Sequence, residues 1–463
     1  MKFDYKILLN RYEYLFLIIG LIFGLVLISA NPPFHSNDED RHFLHAYAIS
    51  EGDIYPQKGQ SFNGSELPVN LIRMISKFQG IPYHRGARLR DEDMDNFKKI
   101  KLERSNSDFY PNPQLRDNPY PFVFHSLFIK ICPYQNPIMK LYFARFGGLV
   151  LYLILIFLAI KLSPVFKPFL FLFALTPMLL FQATSVTYDT MSIGLSFLIF
   201  ALVLRYSQAS RKMTLVDLQV MILVLLLHRF AKDGYVFFPL LFLIIPKSNF
   251  SSVKKAFIFY SFIVAYGFFL YYLPNLSWYN HINSLDLHSF QPLKKDFLHS
   301  FPMNLDIFLS DLGSGVSNIF SSTLHHRQDW FSGVIGRFGY SYKTLPQFLI
   351  IIHGLVLVLL AFFSPEKRPE FKSLQKFSIL LVGIISIAAI IVGFYLNSPV
   401  GATSIFGLQG RYFIPAIPLI FFALYNQKFR NAKWEDSSKL VLSIYSVLVL
   451  LYTVNFIYDE FYI

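Results

Sequence analysis

Long apolar runs separated by short polar segments form the main pattern along this chain. A helix needs about 20 apolar residues to cross a bilayer, and backbone exposed to lipid must satisfy its own hydrogen bonds. The pattern therefore predicts an all-α, polytopic membrane protein with about eleven spans. The predicted spans are Tyr14–Ala30, Lys140–Leu162, Pro168–Thr184, Asp189–Tyr206, Leu215–Phe230, Tyr235–Pro246, Ala256–Leu273, Pro346–Phe363, Phe377–Leu396, Tyr412–Tyr425 and Leu440–Ile457.

Two of these runs allow another interpretation. Tyr14–Ala30 follows basic residues, as the apolar core of a signal peptide does, but it is long for such a core and many further runs follow it. We therefore expect an uncleaved anchor. Tyr235–Pro246 is short, so a re-entrant or tilted element is an alternative to a full span there.

Two long segments interrupt the series of spans within what we interpret as one membrane domain, residues 1–463. The first loop, 31–137, contains an amphipathic stretch, Leu67–Phe78, and an apolar patch, Phe122–Cys132, that is too short to span a bilayer. The second loop, 274–345, has a Gly- and Ser-rich centre, Ser310–Ser322, and a polar-aromatic end, His325–Tyr342.

Lysine and arginine are concentrated on one side of the predicted spans. Among the short segments, nineteen basic residues lie on that side and three, Arg229, Lys232 and Arg411, on the other. Because basic residues in short loops mark the cytoplasmic side, we expect a cytoplasmic N-terminus, an extracytoplasmic C-terminus and two extracytoplasmic long loops. The nineteen are Lys2, Lys6, Arg11, Lys161, Lys167, Arg205, Arg211, Lys212, Lys247, Lys254, Lys255, Lys367, Arg368, Lys372, Lys376, Lys428, Arg430, Lys433 and Lys439.

The composition agrees with a membrane protein and removes one alternative. Hydrophobic residues make up 54% of the chain and charged residues 15%, whereas a soluble domain carries roughly 25% charged residues. The net charge of +13 does not require a nucleic-acid partner, because most of the excess basic residues serve to orient the spans. A single cysteine, Cys132, excludes an intrachain disulfide and indicates nothing about redox compartment.

Three consecutive acids, Asp38, Glu39 and Asp40, follow the first span directly. Carboxylates in such a cluster raise one another's proton affinity and suit general-base chemistry or binding of a divalent metal through oxygen. The alternative is a solvated loop in which Asp38 or Asp40 caps a following helix.

Three further polar clusters fall on the same predicted side. Tyr188 and Asp189 precede a span, where an acid either caps the helix or forms part of a site. Arg229 and Lys232 lie between two apolar runs and suit a phosphate, with an interfacial snorkelling cluster as the alternative. The fourth cluster, at Gly410–Arg411, is an anion-site candidate at the mouth of a Pro-containing span.

The second loop carries a fifth cluster, His325-His326-Arg327-Gln328-Asp329-Trp330, with Arg337 and Tyr340. Adjacent histidines lack the spacing of zinc ligands, so a zinc site is not expected. The chain contains no P-loop, no cysteine cluster and no His-Glu-x-x-His motif, which argues against ATPases and zinc proteases. A general base opposite a cationic cradle would instead suit displacement of a phosphate leaving group from a lipid-linked donor.

Four motifs carry a resemblance to a family of predicted bacterial membrane proteins that was long catalogued as a domain of unknown function. They are Pro-Pro-Phe-(x)3-Asp38-Glu39-x-x-His42-Phe, Ser185-x-x-Tyr188-Asp189, Lys232-x-x-Tyr235 and Gln409-Gly410-Arg411-Tyr412-Phe413-x-Pro415, in this order from about residue 30 to 425. The family is similar to the GT-C glycosyltransferases, which combine many spans with an acidic motif in the first outer loop. In size and layout the chain also resembles serotype-converting glucosyltransferases of O-antigen.

The resemblance implies an inverting glycosyltransferase of a bacterial inner membrane that transfers a sugar from a polyprenyl-phosphate donor to a surface glycan such as O-antigen. Asp38 or Glu39 is then the base; Lys232, Arg411 and Arg229 bind the donor phosphate. Substrate positioning falls to His42, Tyr188, Asp189, Gln409 and Tyr235. A divalent metal at Asp40 is compatible with the pattern but not required by it. An O-antigen polymerase and a lipid-linked glycan flippase or transporter are the alternatives.

Overall fold

A computed structural model describes residues 10–54, 57–58, 63–78, 88–103, 105–111, 118–207, 212–266, 301–339, 343–363, 371–426 and 434–462. Among these, five helices are long and apolar enough to cross a membrane: Tyr12–Ala30, Pro137–Leu162, Asp189–Tyr206, Ser373–Leu396 and Ser437–Phe461. Shorter apolar helices accompany them. The predicted all-α membrane class therefore fits the structure.

The elements are as follows. The helices are α1 (Tyr12–Ala30), α2 (Glu39–Glu51), α3 (Val69–Phe78), α4 (Asp91–Lys98), α5 (Val123–Ile131), α6 (Pro137–Leu162), α7 (Lys167–Ala174), α8 (Pro177–Ala183), α9 (Asp189–Tyr206), α10 (Leu215–Ala231), α11 (253–266), α12 (Phe301–Ser310), α13 (Leu312–Ile335), α14 (Gln347–Phe362), α15 (Ser373–Leu396), α16 (Ile417–Phe422) and α17 (Trp434–Phe461). The strands are β1 (Gln57–Lys58), β2 (Asn63–Pro68), β3 (Ser107–Pro111), β4 (Arg337–Phe338) and β5 (Lys343–Thr344). Short 3₁₀ helices cover Tyr120–Phe122, Asp233–Tyr235, Phe238–Ile244, Lys247–Asn249 and Gly410–Ala416.

Three predicted spans are not continuous α-helices. Pro168–Thr184 divides into α7 and α8 because Thr176, which precedes Pro177, is extended. Tyr235–Pro246 is largely 3₁₀ helix, and Tyr412–Tyr425 begins as the 3₁₀ helix that contains Pro415. Proline removes a backbone donor and clashes with the preceding turn, so composition alone overestimates the helix length here. The count of eleven spans stays a prediction.

Part of the predicted pattern lies outside the described residues. This concerns the end of Ala256–Leu273 after residue 266, the beginning of the second loop to residue 300, Tyr340, and the basic residues Lys2, Lys6, Arg211, Lys367, Arg368, Lys428, Arg430 and Lys433.

Helix α9 lies at the centre of the bundle. Nearly all of its residues are buried, and it packs against α6 on one side and α10 on another. Because every face of this helix contacts protein, the polar residues at its N-terminus are held by neighbouring elements rather than by lipid. The site described below is built around that end.

The first loop folds into a small subdomain of its own. Strands β1, β2 and β3 form an antiparallel sheet in which Leu67 pairs with Asp108. Helix α3 buries Leu71, Met74 and Phe78, as the amphipathic pattern of Leu67–Phe78 predicts. These side chains join Phe34 and other residues in a second apolar core, so the acidic segment after α1 is anchored at both ends.

The second loop contains an unexpected long helix. The Gly- and Ser-rich stretch Ser310–Ser322 forms the start of α13, which Asp311 caps by accepting a hydrogen bond from the Ser314 amide at 3.0 Å. Propensity alone disfavours a helix here. Tertiary packing compensates, since Gly315 lies directly against the Phe308 ring of α12.

The two ends of the bundle gather the segments that the charge pattern assigns to opposite sides. At one end Tyr12 hydrogen-bonds Ser438 at 2.7 Å, and Gln375 donates to the Ser207 carbonyl at 3.0 Å. At the other end the Leu89 amide donates to the Phe461 carbonyl at 2.8 Å. These contacts join segments that the charge pattern assigns to the same side, and the direction of the chain across the membrane stays a prediction from the basic residues.

Candidate functional site

The four polar clusters on the predicted outer side meet in one region. Ser36 lies 2.5 Å from Ser185, hydroxyl oxygen to hydroxyl oxygen. The side-chain amide of Asn37 donates to Gln409 at 2.8 Å. These two contacts join residues that are 149 and 372 positions apart in the chain, as the predicted topology requires.

A buried carboxylate with two cations forms the centre of this region. Asp189 begins α9, where the helix dipole favours a negative charge. The Lys232 ammonium lies 2.6 Å from one Asp189 oxygen, and Nε of Arg411 lies 3.7 Å from the other. All three side chains are largely buried. Two cations against one acid leave a net positive charge in a water-poor place, which favours an anionic ligand.

Tyrosine rings hold the two cations in position. The Lys232 ammonium lies 4.0 Å from the ring centroid of Tyr412 and 4.7 Å from that of Tyr188. The buried hydroxyl of Tyr235 donates to the Tyr412 carbonyl at 3.0 Å. Arg411 donates to the Tyr412 hydroxyl at 3.2 Å. Cation–π contacts of this kind stabilise and orient an ammonium group.

Gln182 is a member of this region that sequence reasoning missed. It lies on α8, and its side-chain oxygen accepts a hydrogen bond from Arg411 at 3.4 Å. No motif marks it, because it lies inside an apolar run; only the interruption of that run before Pro177 turns α8 toward Arg411.

Glu39 makes a structural ion pair with Arg145. Two guanidinium nitrogens of Arg145 donate to the two Glu39 oxygens at 2.8 and 2.6 Å, and the Val186 amide donates to Glu39 at 3.0 Å. Both side chains are fully buried. Arg145 also donates to the carbonyls of Ile28, Asn31 and Pro32. This arrangement clamps the end of α1 and the start of α2 to α6.

The sequence contains a signal for Arg145, because this residue is the sixth of the predicted span Lys140–Leu162. An ionisable residue inside a span pairs with a partner or marks function. Its partner here comes from the acidic cluster, which changes the interpretation of that cluster.

Asp38 differs from its neighbour Glu39. Its backbone is left-handed, with φ of 58°, which costs roughly 1–3 kcal/mol for a residue other than glycine. It is the N-cap residue of α2, but its side chain makes no capping hydrogen bond, and it is only partly buried. The capping alternative is therefore not used.

Asp40 faces a different environment from Asp38. Together with burial, its charge raises the pKa of Tyr110 on β3. Within the described part of the chain, no group of three His, Cys, Asp or Glu side chains is arranged to hold a metal ion. The metal role of Asp40 stays a prediction without further support.

Arg229 lies next to the buried cluster. With Lys232, Tyr235 and Tyr266 it lines a small cavity beside α10. The neighbouring His228 ring hydrogen-bonds Ser196 of α9 at 2.9 Å. Arg229 thus adds positive charge to the cavity that Lys232 also lines.

Three histidines of the first loop are buried and kept neutral. Burial lowers the pKa of His35, His42 and His45 to about 3. Arg145 and Lys343 lower that of His35 further, and for His42 the opposing effects of Asp189 and Arg411 are smaller than burial. His42 packs edge-on against Tyr188, with ring centroids 4.9 Å apart.

These histidines predict acid sensitivity of the fold. Between pH 6.5 and 3 the unfolded chain binds more protons than the folded one, so the free energy of unfolding falls as pH falls, by up to about 1.4 kcal/mol per pH unit for each histidine. His45→Phe should flatten the dependence of the melting temperature on pH, measured in detergent from pH 7.5 to 4.5. Neither ring nitrogen of His45 has a hydrogen-bond partner among the described residues, so the substitution by phenylalanine removes no hydrogen bond there.

The control for this prediction is His325→Gln, at an exposed position on α13. It should keep the wild-type slope. If the melting temperature of His45→Phe depended on pH as steeply as those of wild type and His325→Gln, the buried imidazole of His45 would not resist protonation.

A close backbone contact positions Arg411. A Cβ atom on Gly410 would lie 1.9 Å from the Trp330 carbonyl oxygen and 2.9 Å from the Cα atom of Gly333 on α13. The Trp330 indole donates to the Leu408 carbonyl at 3.1 Å. Helix α13 therefore holds the backbone that carries Arg411.

Gly410→Ala should force α13 and the 3₁₀ helix apart. We expect a loss of stability of about 1–3 kcal/mol or more, because backbone cannot yield as a flexible side chain does. Thermal unfolding in detergent measures it. Gly393→Ala on α15 is the matched control, since no atom lies within 4 Å of its added Cβ. Equal melting temperatures for the two variants would contradict the close contact.

The polar-aromatic cluster of the second loop contributes to the same region. A partly open cleft with about 120 Å³ of solvent-accessible space lies between α13 and the 3₁₀ helix Gly410–Ala416. His326, Asp329 and Arg337 line it from one side, and Gln409 and Arg411 from the other. No sequence motif joins these two segments, which are 70 or more residues apart.

Comparison with known proteins agrees with the membrane character of the fold. No curated protein and no solved structure matches the chain significantly. A family model described as "Predicted membrane protein (DUF2142)" matches residues 21–420, a range that includes all four clusters of the site. The chain therefore belongs to the DUF2142 family of predicted membrane proteins.

Proposed function

We propose that this membrane protein is an inverting glycosyltransferase that moves a sugar from a polyprenyl-phosphate donor to a bacterial surface glycan such as O-antigen. The reaction takes place on the extracytoplasmic face of the inner membrane. The observation that supports it most is the buried Asp189–Lys232–Arg411 cluster, whose net positive charge suits a phosphate. Preorganised cations in a water-poor site stabilise a developing phosphate charge better than water does.

Asp38 supplies the base in this proposal. Its carboxylate takes the proton from an acceptor hydroxyl while the hydroxyl oxygen attacks the anomeric carbon of the donor sugar. The bond between that carbon and the phosphate oxygen breaks, and the phosphate leaves with the electron pair. Attack opposite the leaving group inverts the configuration. Glu39 has a different task, because its pair with Arg145 fixes the segment that carries Asp38.

Lys232, Arg411 and Arg229 stabilise the departing phosphate. Asp189 keeps Lys232 and Arg411 close together in the absence of substrate. Tyr188 and Tyr235 support the Lys232 and Tyr412 positions, and His42 packs behind Tyr188. Gln409 links Arg411 to the segment that precedes Asp38, through its bond with Asn37.

The test is sugar transfer in a strain that lacks the gene. The strain is complemented with wild type, with Lys232→Gln or with Lys212→Gln, an exposed lysine at the opposite end of α10. Mass spectrometry of the surface polysaccharide should show an added sugar with wild type and Lys212→Gln. Loss of a charge-stabilising group typically costs about 100- to 1,000-fold in rate, so Lys232→Gln should show little of it.

Other outcomes would favour the alternatives. A change in chain length with an unchanged repeat unit would indicate a polymerase. A change in export with unchanged composition would indicate a flippase or transporter. Either result would overturn the transferase proposal.

A further inference from the structure

A partly open cleft lies between α13 and the 3₁₀ helix Gly410–Ala416. It holds about 120 Å³ of solvent-accessible space. One end is formed by Arg411, which also belongs to the buried cluster. A ligand in the cleft would therefore lie next to a phosphate bound at Lys232 and Arg411.

The lining is polar and carries one carboxylate, Asp329, and two guanidinium groups, Arg337 and Arg411. Asp329 and Arg337 form an ion pair within it, and partial burial lowers the pKa of His326. Gln409 adds an amide. An apolar tail would leave these groups without hydrogen bonds.

The same groups suit vicinal hydroxyls. Carboxylate, guanidinium and amide side chains each offer two hydrogen-bonding atoms in one plane. Gly333 and Gly410 bring only backbone to the cleft wall, where they lie directly against each other. Trp330 also lines the cleft, and its ring is stacked on that of His326, with ring centroids 5.9 Å apart.

We infer that this cleft binds the ring of a saccharide, with Asp329, Arg337 and Gln409 as its hydroxyl-binding residues. The inference rests on the proposed function for its link to catalysis, and it names the sugar subsite of that same site. The sugar comes either from the polyprenyl-phosphate donor or from the glycan acceptor. Both present the same hydroxyl chemistry, and the experiment below separates them.

The first arm measures binding without catalysis. Purified full-length protein in detergent is titrated with glucose, galactose, mannose, rhamnose and N-acetylglucosamine, and with inorganic phosphate. Melting temperature and tryptophan fluorescence are the readouts. At least one sugar should bind to wild type and to Arg327→Gln, an exposed arginine on the same helix.

Asp329→Asn should weaken that binding roughly 10- to 100-fold, as expected for hydrogen bonds to a charged group. Asp329 is 55% exposed, so the variant should fold, which its melting temperature without sugar confirms; His326→Gln provides a second variant. Absence of binding by all five sugars, or equal affinity in wild type, Asp329→Asn and His326→Gln, would overturn the inference.

The second arm measures transfer kinetics with Asp329→Asn. A raised KM for the polyprenyl-phosphate sugar assigns the cleft to the donor, and a raised KM for the glycan assigns it to the acceptor. Transfer with both KM values unchanged would overturn the assignment of the cleft as a sugar-binding site and leave the transferase proposal standing. Sugar binding that depends on Asp329, without any sugar transfer, would overturn the transferase proposal and leave the assignment of the cleft as a sugar-binding site standing.

Discussion

Asp38→Asn is expected to lower sugar transfer by about 100- to 10,000-fold, the contribution usual for a general base, while the protein inserts and folds normally. Asparagine tolerates the left-handed backbone of this position, and the Asp38 side chain makes no capping bond whose loss would destabilise α2. The measurement is the transfer rate of purified protein, with the melting temperature beside it.

Glu51→Gln is the matched control for that prediction. It removes an exposed carboxylate at the far end of the same helix, and it should keep the wild-type rate. Full activity of Asp38→Asn in a correctly inserted protein would remove Asp38 from the mechanism. Asp40→Asn is a further variant for the same transfer assay. If wild-type transfer depends on a divalent metal and transfer by Asp40→Asn does not, the result would support a metal role for Asp40.

Arg145→Met is expected to destabilise the fold by about 3–5 kcal/mol, the usual result of removing one partner of a buried ion pair. Glu39 would remain as a buried carboxylate without its cation, and three carbonyls would each lose a donor. Yield of monodisperse protein and melting temperature in detergent are the measurements. Lys161→Met, an exposed basic residue on the same helix, should behave as wild type.

Glu39→Gln completes this prediction. It leaves the Arg145 charge unbalanced, so we expect a similar loss of stability, with the transfer rate per folded molecule much less affected than in Asp38→Asn. A stable Glu39→Gln protein without activity would reverse the roles of the two acids. A stable Arg145→Met protein would show that the pair does not hold α1, α2 and α6 together.

The sequence by itself was sufficient for the membrane class and for the convergence of four polar clusters. Lipid accepts only long apolar segments with internally bonded backbone, so composition reveals many of the spans. Alternation of sides along the chain then determines which loops share a face. The shared face of Ser36 and Ser185, and of Asn37 and Gln409, follows from that alternation, whereas the direct contacts of these residues depend on packing.

Only the tertiary structure distinguished Asp38 from Glu39. The two residues are adjacent acids, and their difference comes from Arg145, which is 106 positions away from Glu39. The cleft likewise depends on α13 meeting the segment of Gly410, through a backbone contact that two glycines permit. Local periodicity reports which face of an element is apolar, but not which distant element packs there. For that physical reason the sequence predicted which polar clusters share a face, and only the tertiary structure decided which side chains they contact.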